Sequence, residues 1–347
     1  MEEKGEHLIF LVSQPRSGST LLQRILATHP RIATTGETWL LLPPLFALRQ
    51  EGWQAEFQAR SATFALQQFL SQLPGGSDDY FEGVRRMYGY LYGRARGERQ
   101  YFLDKTPRYY LILAEIKRAF PQARFLFLFR NPLAVLHSIY RTSLIQNRLI
   151  AFYWVHSDLF RAVRLLLEGW QLLKDQALIV RYEELVREPE AVVSKVCEFL
   201  DLPFYPQMVE YGRFSLPRWR LGDQKVYELN RPDPKRAVQW IESLKDAQFW
   251  RLARDYLQLL GKDQVEQMGY SFNELREILE TSRPRRSRLV LTFPISLLTE
   301  KRPEDRSRWQ RAWIWGISLL QRQGLPGLLM ALWDRLIGKT YGGPLLG

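Results

Sequence analysis

Short apolar runs alternate with longer amphipathic stretches along most of this chain. The runs at 8–13, 101–103, 124–129 and 177–180 are too short for helices, and strands buried on both faces read this way. Segments 20–28, 53–72, 79–95, 108–119, 133–146, 150–174 and 189–200 show helical spacing. Strands and helices in alternation predict an α/β fold, a parallel sheet flanked by helices. Ligands in such folds bind beyond the carboxyl ends of the strands, so residues just past each apolar run are the first candidates for chemistry. Leu73-Pro74-Gly75-Gly76-Ser77 breaks two helices, and 212–236, rich in Gly, Pro, Arg and Asp, reads as a long surface loop.

Composition narrows the class. A chain of 347 residues with 46% apolar content holds either one large domain or two. One cysteine, Cys197, excludes an internal disulfide framework and fits a reducing, cytoplasmic compartment. The acidic start, Met1-Glu2-Glu3-Lys4-Gly5-Glu6, does not read as a signal peptide. The net charge of +12 is uneven: residues 281–347 carry 12 Lys/Arg against 4 Asp/Glu. The domain boundary is therefore expected in the linker Arg283-Pro284-Arg285-Arg286-Ser287-Arg288, giving a main domain 1–282 and a basic, helical C-terminal extension 283–347.

The first run leads straight into small polar residues: Leu8-Ile9-Phe10-Leu11-Val12-Ser13-Gln14-Pro15-Arg16-Ser17-Gly18-Ser19-Thr20-Leu21-Leu22. A strand feeding a tight turn and a helix N-terminus gathers free N–H groups into an anion site. An ordinary strand–turn–helix connection has the same outline. Two chemistries suit the site. A nucleotide-hydrolysing P-loop wants G-x-x-x-x-G-K-[ST], but Ser13 stands at the first Gly and Ser19 at the Lys. The sulfotransferases, which use 3'-phosphoadenosine 5'-phosphosulfate (PAPS), have P-[RK]-[SA]-G-[ST]-[ST] here, and Pro15 to Thr20 resembles that pattern at every position. The resemblance implies a P-loop-like α/β fold, with Arg16, Ser17, Gly18, Ser19 and Thr20 around the 5'-phosphosulfate.

The third run ends Phe127-Leu128-Phe129-Arg130-Asn131-Pro132. A P-loop NTPase would usually place a metal-holding carboxylate there; this chain places a cation. Arg130 with Ser138 resembles the R-x7-S element with which the family grips the 3'-phosphate, and an Arg fork gives two charge-assisted bonds to a phosphate. Asn131 can cap the helix that Pro132 begins.

Sulfuryl transfer to a hydroxyl needs a base. In tyrosylprotein sulfotransferases the first Glu of a Gly-Glu-Glu is that base, and Gly36-Glu37-Thr38 is similar in position, which implies Glu37. Leu103-Asp104-Lys105-Thr106-Pro107 resembles Lys segments of the tyrosylprotein and heparan sulfate branches, so Lys105 is implied as the cation beside the departing oxygen, with Arg16. The cytosolic branch has a His where Pro107 stands. Val180-Arg181-Tyr182-Glu183-Glu184-Leu185 is similar to the family's Y-E-x-L segment, which implies Tyr182 near the adenine. Arg220-Leu221-Gly222-Asp223-Gln224-Lys225 is similar to a late Gly-Asp-x-Lys element, which makes Lys225 and Arg220 candidates for the 3'-phosphate, as is Arg141.

The resemblance covers residues 8–245. It implies PAPS as co-substrate, PAP as product, no metal, a hydroxyl-bearing acceptor of open class and no nucleic-acid partner. A Mg-dependent kinase or NTPase with a degenerate P-loop, and a non-catalytic basic binding protein, are the alternatives. The Trp/Leu-rich segment 309–333 is too short and interrupted to span a bilayer. It fits either peripheral contact with a membrane surface or packing on the main domain or on a second copy in a homodimer.

Overall fold

The computed structural model describes residues 4–49, 57–144 and 157–284. Residues 285–347 lie outside them, and with them most of the linker, the extension and the 309–333 segment. So do parts of the expected helices 53–72 and 150–174, and His156.

The expected strands form one parallel sheet with a fifth. β1 (Leu8–Ser13), β2 (Ile32–Thr34), β3 (Tyr101–Lys105), β4 (Arg124–Phe129) and β5 (Ala177–Arg181) stand in the order β2-β3-β1-β4-β5. β2 has no counterpart in the apolar pattern, because three residues at a sheet edge give too short a run. Register places Leu11 opposite Lys105 and Ser13 opposite Leu128, so β1, β3 and β4 end close together. The chain leaves β1 to one side for β2 and β3, then crosses to the other for β4 and β5. This reversal puts the crevice of such sheets at the carboxyl end of β1.

Strand periodicity splits the core into two layers. Ile9 and Leu11 face α1 (Ser19–Ala27), whose Leu21, Leu22, Ile25 and Leu26 are buried with Leu126, Leu128 and Val193. Phe10 points the other way, into Phe125, Phe120, Tyr92 and Tyr109. Each such ring contributes about 1.5–3 kcal/mol by leaving water. This tight packing fixes the strand ends that carry the site.

Three expected helices differ in detail. The stretch 108–119 is a 3₁₀ turn, Pro107–Leu111, then a helix Leu113–Ala119, split where Ile112 leaves helical backbone with φ −135°. The stretch 133–146 is Pro132–Ile139 followed by a π-helical turn, Tyr140–Leu144. The 53–72 helix is Ala59–Leu70. The expected loop 212–236 holds short 3₁₀ turns at Gln224–Glu228 and Pro234–Ala237.

The chain divides into two compact units, one of residues 1–135, 162–239 and 263–271, the other of 136–161, 240–262 and 272–347. The first contains the whole sheet. In the second, Tyr140 donates to Asp246 Oδ2 at 2.6 Å, Tyr256 to the Leu159 carbonyl at 2.8 Å and the Trp250 indole to the Leu279 carbonyl at 2.7 Å. Among the described residues no helix is long and apolar enough to cross a membrane.

Candidate active site

The turn after β1 is built from unusual backbone. Arg16 has φ +73° and Gly18 φ +96°, the left-handed conformations that let successive N–H groups point into one concavity. Gly18 precedes α1, and its carbonyl accepts from Leu21 and Leu22. Only glycine fits there: a Cβ would lie 2.4 Å from the Tyr182 ring. The Ser13 and Ser17 hydroxyl oxygens are buried without a hydrogen-bond partner among the described residues. A buried unsatisfied hydroxyl costs roughly 1–3 kcal/mol, so two flanking one turn are explained best by a ligand that completes them. Hydroxyls, an arginine and converging amides form a donor set for an oxyanion, and in that respect the turn fits a phosphosulfate.

Glu37 and Lys105 come together beside this turn. Lys105, the last residue of β3, is 1% exposed and its Nζ donates to Glu37 Oε1 at 2.7 Å. Burial lowers the Lys105 pKa, and the Glu37 charge opposes that. Glu37 Oε2 accepts from the Trp39 indole at 3.2 Å. Behind the pair lies Asp104, wholly buried, whose Oδ2 accepts from Tyr92 (2.6 Å), Thr38 (2.7 Å) and Tyr109 (3.0 Å) while Oδ1 accepts from Thr106 (3.0 Å). Burial raises the Asp104 pKa against these bonds. The Tyr109 hydroxyl also accepts from the Leu41 N–H, and Thr38 Oγ1 from the Leu40 N–H. The network pins segment 37–41 to β3.

Arg130, at the end of β4, is engaged with backbone. Its Nη1 and Nη2 donate to the Arg16 and Arg236 carbonyls, each at 3.0 Å, and Nε is buried without a partner among the described residues. Its guanidinium lies 4.1 Å from the Tyr182 ring centroid. Tyr182 thus packs against both Gly18 and Arg130. Asn131 caps the next helix through Oδ1 and the Leu133 N–H at 2.9 Å. Glu183 is a nearby carboxylate, held by the Asn131 N–H and the Tyr270 hydroxyl. Ser138 belongs to the second unit, where its carbonyl accepts from Thr142 Oγ1 at 2.8 Å.

The late loop meets the turn through Gly222 and Asp223. The Asp223 N–H donates to Thr20 Oγ1 at 3.1 Å, and its Oδ2 lies 3.7 Å from Arg16 Nη2. A Cβ on Gly222 would lie 2.9 Å from Thr20 Oγ1 and 3.5 Å from Lys105 Nζ. Lys225 and Arg220 are exposed; the Lys225 N–H donates to Asp223 Oδ1. The loop is anchored by Arg24 of α1, only 6% exposed, whose guanidinium sits 4.4 Å from the Tyr227 centroid and 5.9 Å from those of Tyr211 and Trp219. Its Nη1 donates to the Pro217 carbonyl.

Sequence reasoning did not assign Asp104, Arg24, Trp39 or Asp223. An acid directly after an apolar run was the available signal for Asp104, and a cation on the buried stripe of α1 for Arg24. Trp39 and Asp223 carry none without the fold.

A family model for the "Sulfotransferase family" matches residues 9–206. A Caenorhabditis briggsae protein with a provisional protein-tyrosine sulfotransferase name is 26% identical over 272 residues, 74% of this chain and 90% of that one. Nodulation protein NoeE of Sinorhizobium fredii is 26% identical over 291 residues, 76% of this chain and 66% of its own, so the chain spans just under two thirds of it. Among solved structures, the sulfotransferase domain from the Synechococcus PCC 7002 olefin synthase is 26% identical with TM-score 0.47, covering 67% of this chain and 86% of that one.

Proposed function

The chain belongs to the sulfotransferase family, and from that premise we propose that it moves the sulfuryl group of PAPS to an acceptor hydroxyl, with Glu37 as base. The observation that carries the reading is the Glu37–Lys105 pair beside a turn with two buried hydroxyls that have no partner among the described residues. In the proposed reaction the acceptor oxygen attacks sulfur in line, and the bond from sulfur to the phosphate oxygen of the donor breaks. The acceptor proton goes to Glu37, and the products are the sulfated acceptor and PAP. Lys105 and Arg16 neutralise charge on the departing phosphate oxygen, with amides of the turn around the sulfuryl group. Protein cations supply this neutralisation, so the step needs no metal.

Donor binding requires two exchanges. Asp223 must yield Arg16 to the donor, and Lys105 must turn from Glu37 toward the breaking bond, which frees Glu37 Oε1 for the proton. Arg130, which grips the Arg16 carbonyl, keeps its buried Nε for the 3'-phosphate side in this reading.

Titration calorimetry with PAP tests the donor assignment. PAP is expected to bind without divalent metal and Arg16→Met to weaken it at least tenfold. Tighter binding of ATP·Mg than of PAP would instead support a kinase or NTPase.

A further inference from the structure

Trp39 has φ +54°, a conformation that costs a bulky residue free energy and is kept where the surroundings impose it. Here they do. Its N–H donates to Thr106 Oγ1 at 3.3 Å, and Thr106 is tied to buried Asp104 at 3.0 Å. The twist places the indole N–H on Glu37 Oε2 at 3.2 Å while the residue stays 39% exposed, with the Arg108 guanidinium 5.7 Å from the ring centroid. A large apolar ring left in water at a strained position is not there for core packing.

The two oxygens of Glu37 are held by different donors, Oε1 by Lys105 and Oε2 by Trp39. The Lys105 stem is flexible and its ammonium is the group required elsewhere once a donor is bound. The indole hangs from a backbone that is itself tied to Thr106. We propose that Trp39 is a positioning residue for Glu37, and that its indole N–H keeps the carboxylate aimed when Lys105 changes partner. The inference rests on the sulfuryl-transfer reading for its purpose, though the indole–carboxylate bond itself does not.

Two measurements on the full chain test it. In ¹⁵N-Trp-labelled protein, the indole resonance that disappears in Trp39→Phe belongs to Trp39. In Glu37→Ala this resonance is expected to shift and its proton to exchange with solvent at least tenfold faster. In Lys105→Met, with Lys105→Gln as a second variant, it is expected to stay in place. A resonance unmoved by Glu37→Ala, or lost with Lys105, overturns the proposal. The second measurement uses PAPS with a tyrosine-containing peptide, an oligosaccharide and p-nitrophenol. With whichever is sulfated, Trp39→Phe is expected to lower kcat about tenfold and leave KM for PAPS within twofold. An unchanged kcat overturns the proposal. If none is sulfated, the transfer reading fails for these acceptors and the resonance experiment still decides on Trp39.

Discussion

Lys105 and Glu37 form an ion pair in which the lysine side chain is 1% exposed and the glutamate side chain 13%, with Nζ and Oε1 2.7 Å apart. Removing one partner of such a pair strands the other charge, at a cost of roughly 3–5 kcal/mol. Glu37→Ala is therefore expected to lower unfolding stability at pH 7 by about that much, and the double variant Glu37→Ala/Lys105→Met to recover most of it. Denaturant unfolding of the cycle measures this; additive losses would show that the pair is not coupled.

The same pair sets a pH dependence. Burial lowers the folded-state pKa of Lys105 below 10.5, and Glu37 is the first cause opposing it. Between the folded value and 10.5 the unfolded chain binds more protons, so the contribution of this group to stability rises with pH. Without Glu37 the folded value falls further. The deficit of Glu37→Ala is expected to shrink as pH rises from 7 toward 10, as unfolding at several pH values would show.

Cys197 acts with the opposite sign. Burial pushes its thiol from 9.0 to about 11, so the folded state holds the proton longer. Its stabilisation is full below pH 9 and lost as pH rises through 11, about 2–3 kcal/mol for that shift. Cys197→Ala is expected to lose less stability than the wild type between pH 8 and 11, read by urea unfolding.

Much of the sheet is legible in the sequence because strands buried on both faces leave continuous apolar runs, as at Phe125–Phe129. β2 is not, since Ile32–Thr34 has too few residues to make a pattern. The residues of the site are legible where they sit at the carboxyl end of a strand: Lys105 closes β3, Arg130 follows β4 directly and Arg16 lies in the turn after β1. What joins them is not. Glu37 is separated from Lys105 by 68 positions, and it is the Asp104 network that holds the segment next to β3. In the late loop the resemblance implies Lys225 and Arg220, and the approach of Gly222 and Asp223 to the turn is visible only in the fold. Side-chain packing around Arg24 decides which residues of a loop face inward, and spacing does not encode that.

Arg24 gives a test of that packing. Arg24→Met is expected to keep the fold but release the 217–227 loop, because the Tyr211, Trp219 and Tyr227 rings lose the guanidinium they surround. Amide exchange at Asp223 should accelerate at least tenfold while β1 and β4 stay protected, as hydrogen exchange with mass detection would report. Equal protection in both proteins would show that Arg24 does not anchor the loop.

The most direct measurement of the central claim is transfer of label from PAPS marked in its sulfuryl group to the peptide, oligosaccharide and phenol acceptors, by the wild type, Glu37→Gln and Lys105→Ala. A labelled acceptor and unlabelled PAP are expected from the wild type without added metal, with turnover reduced at least a hundredfold in either variant. Undiminished transfer by Glu37→Gln, or phosphoryl transfer from ATP·Mg with no sulfuryl transfer at all, would contradict it.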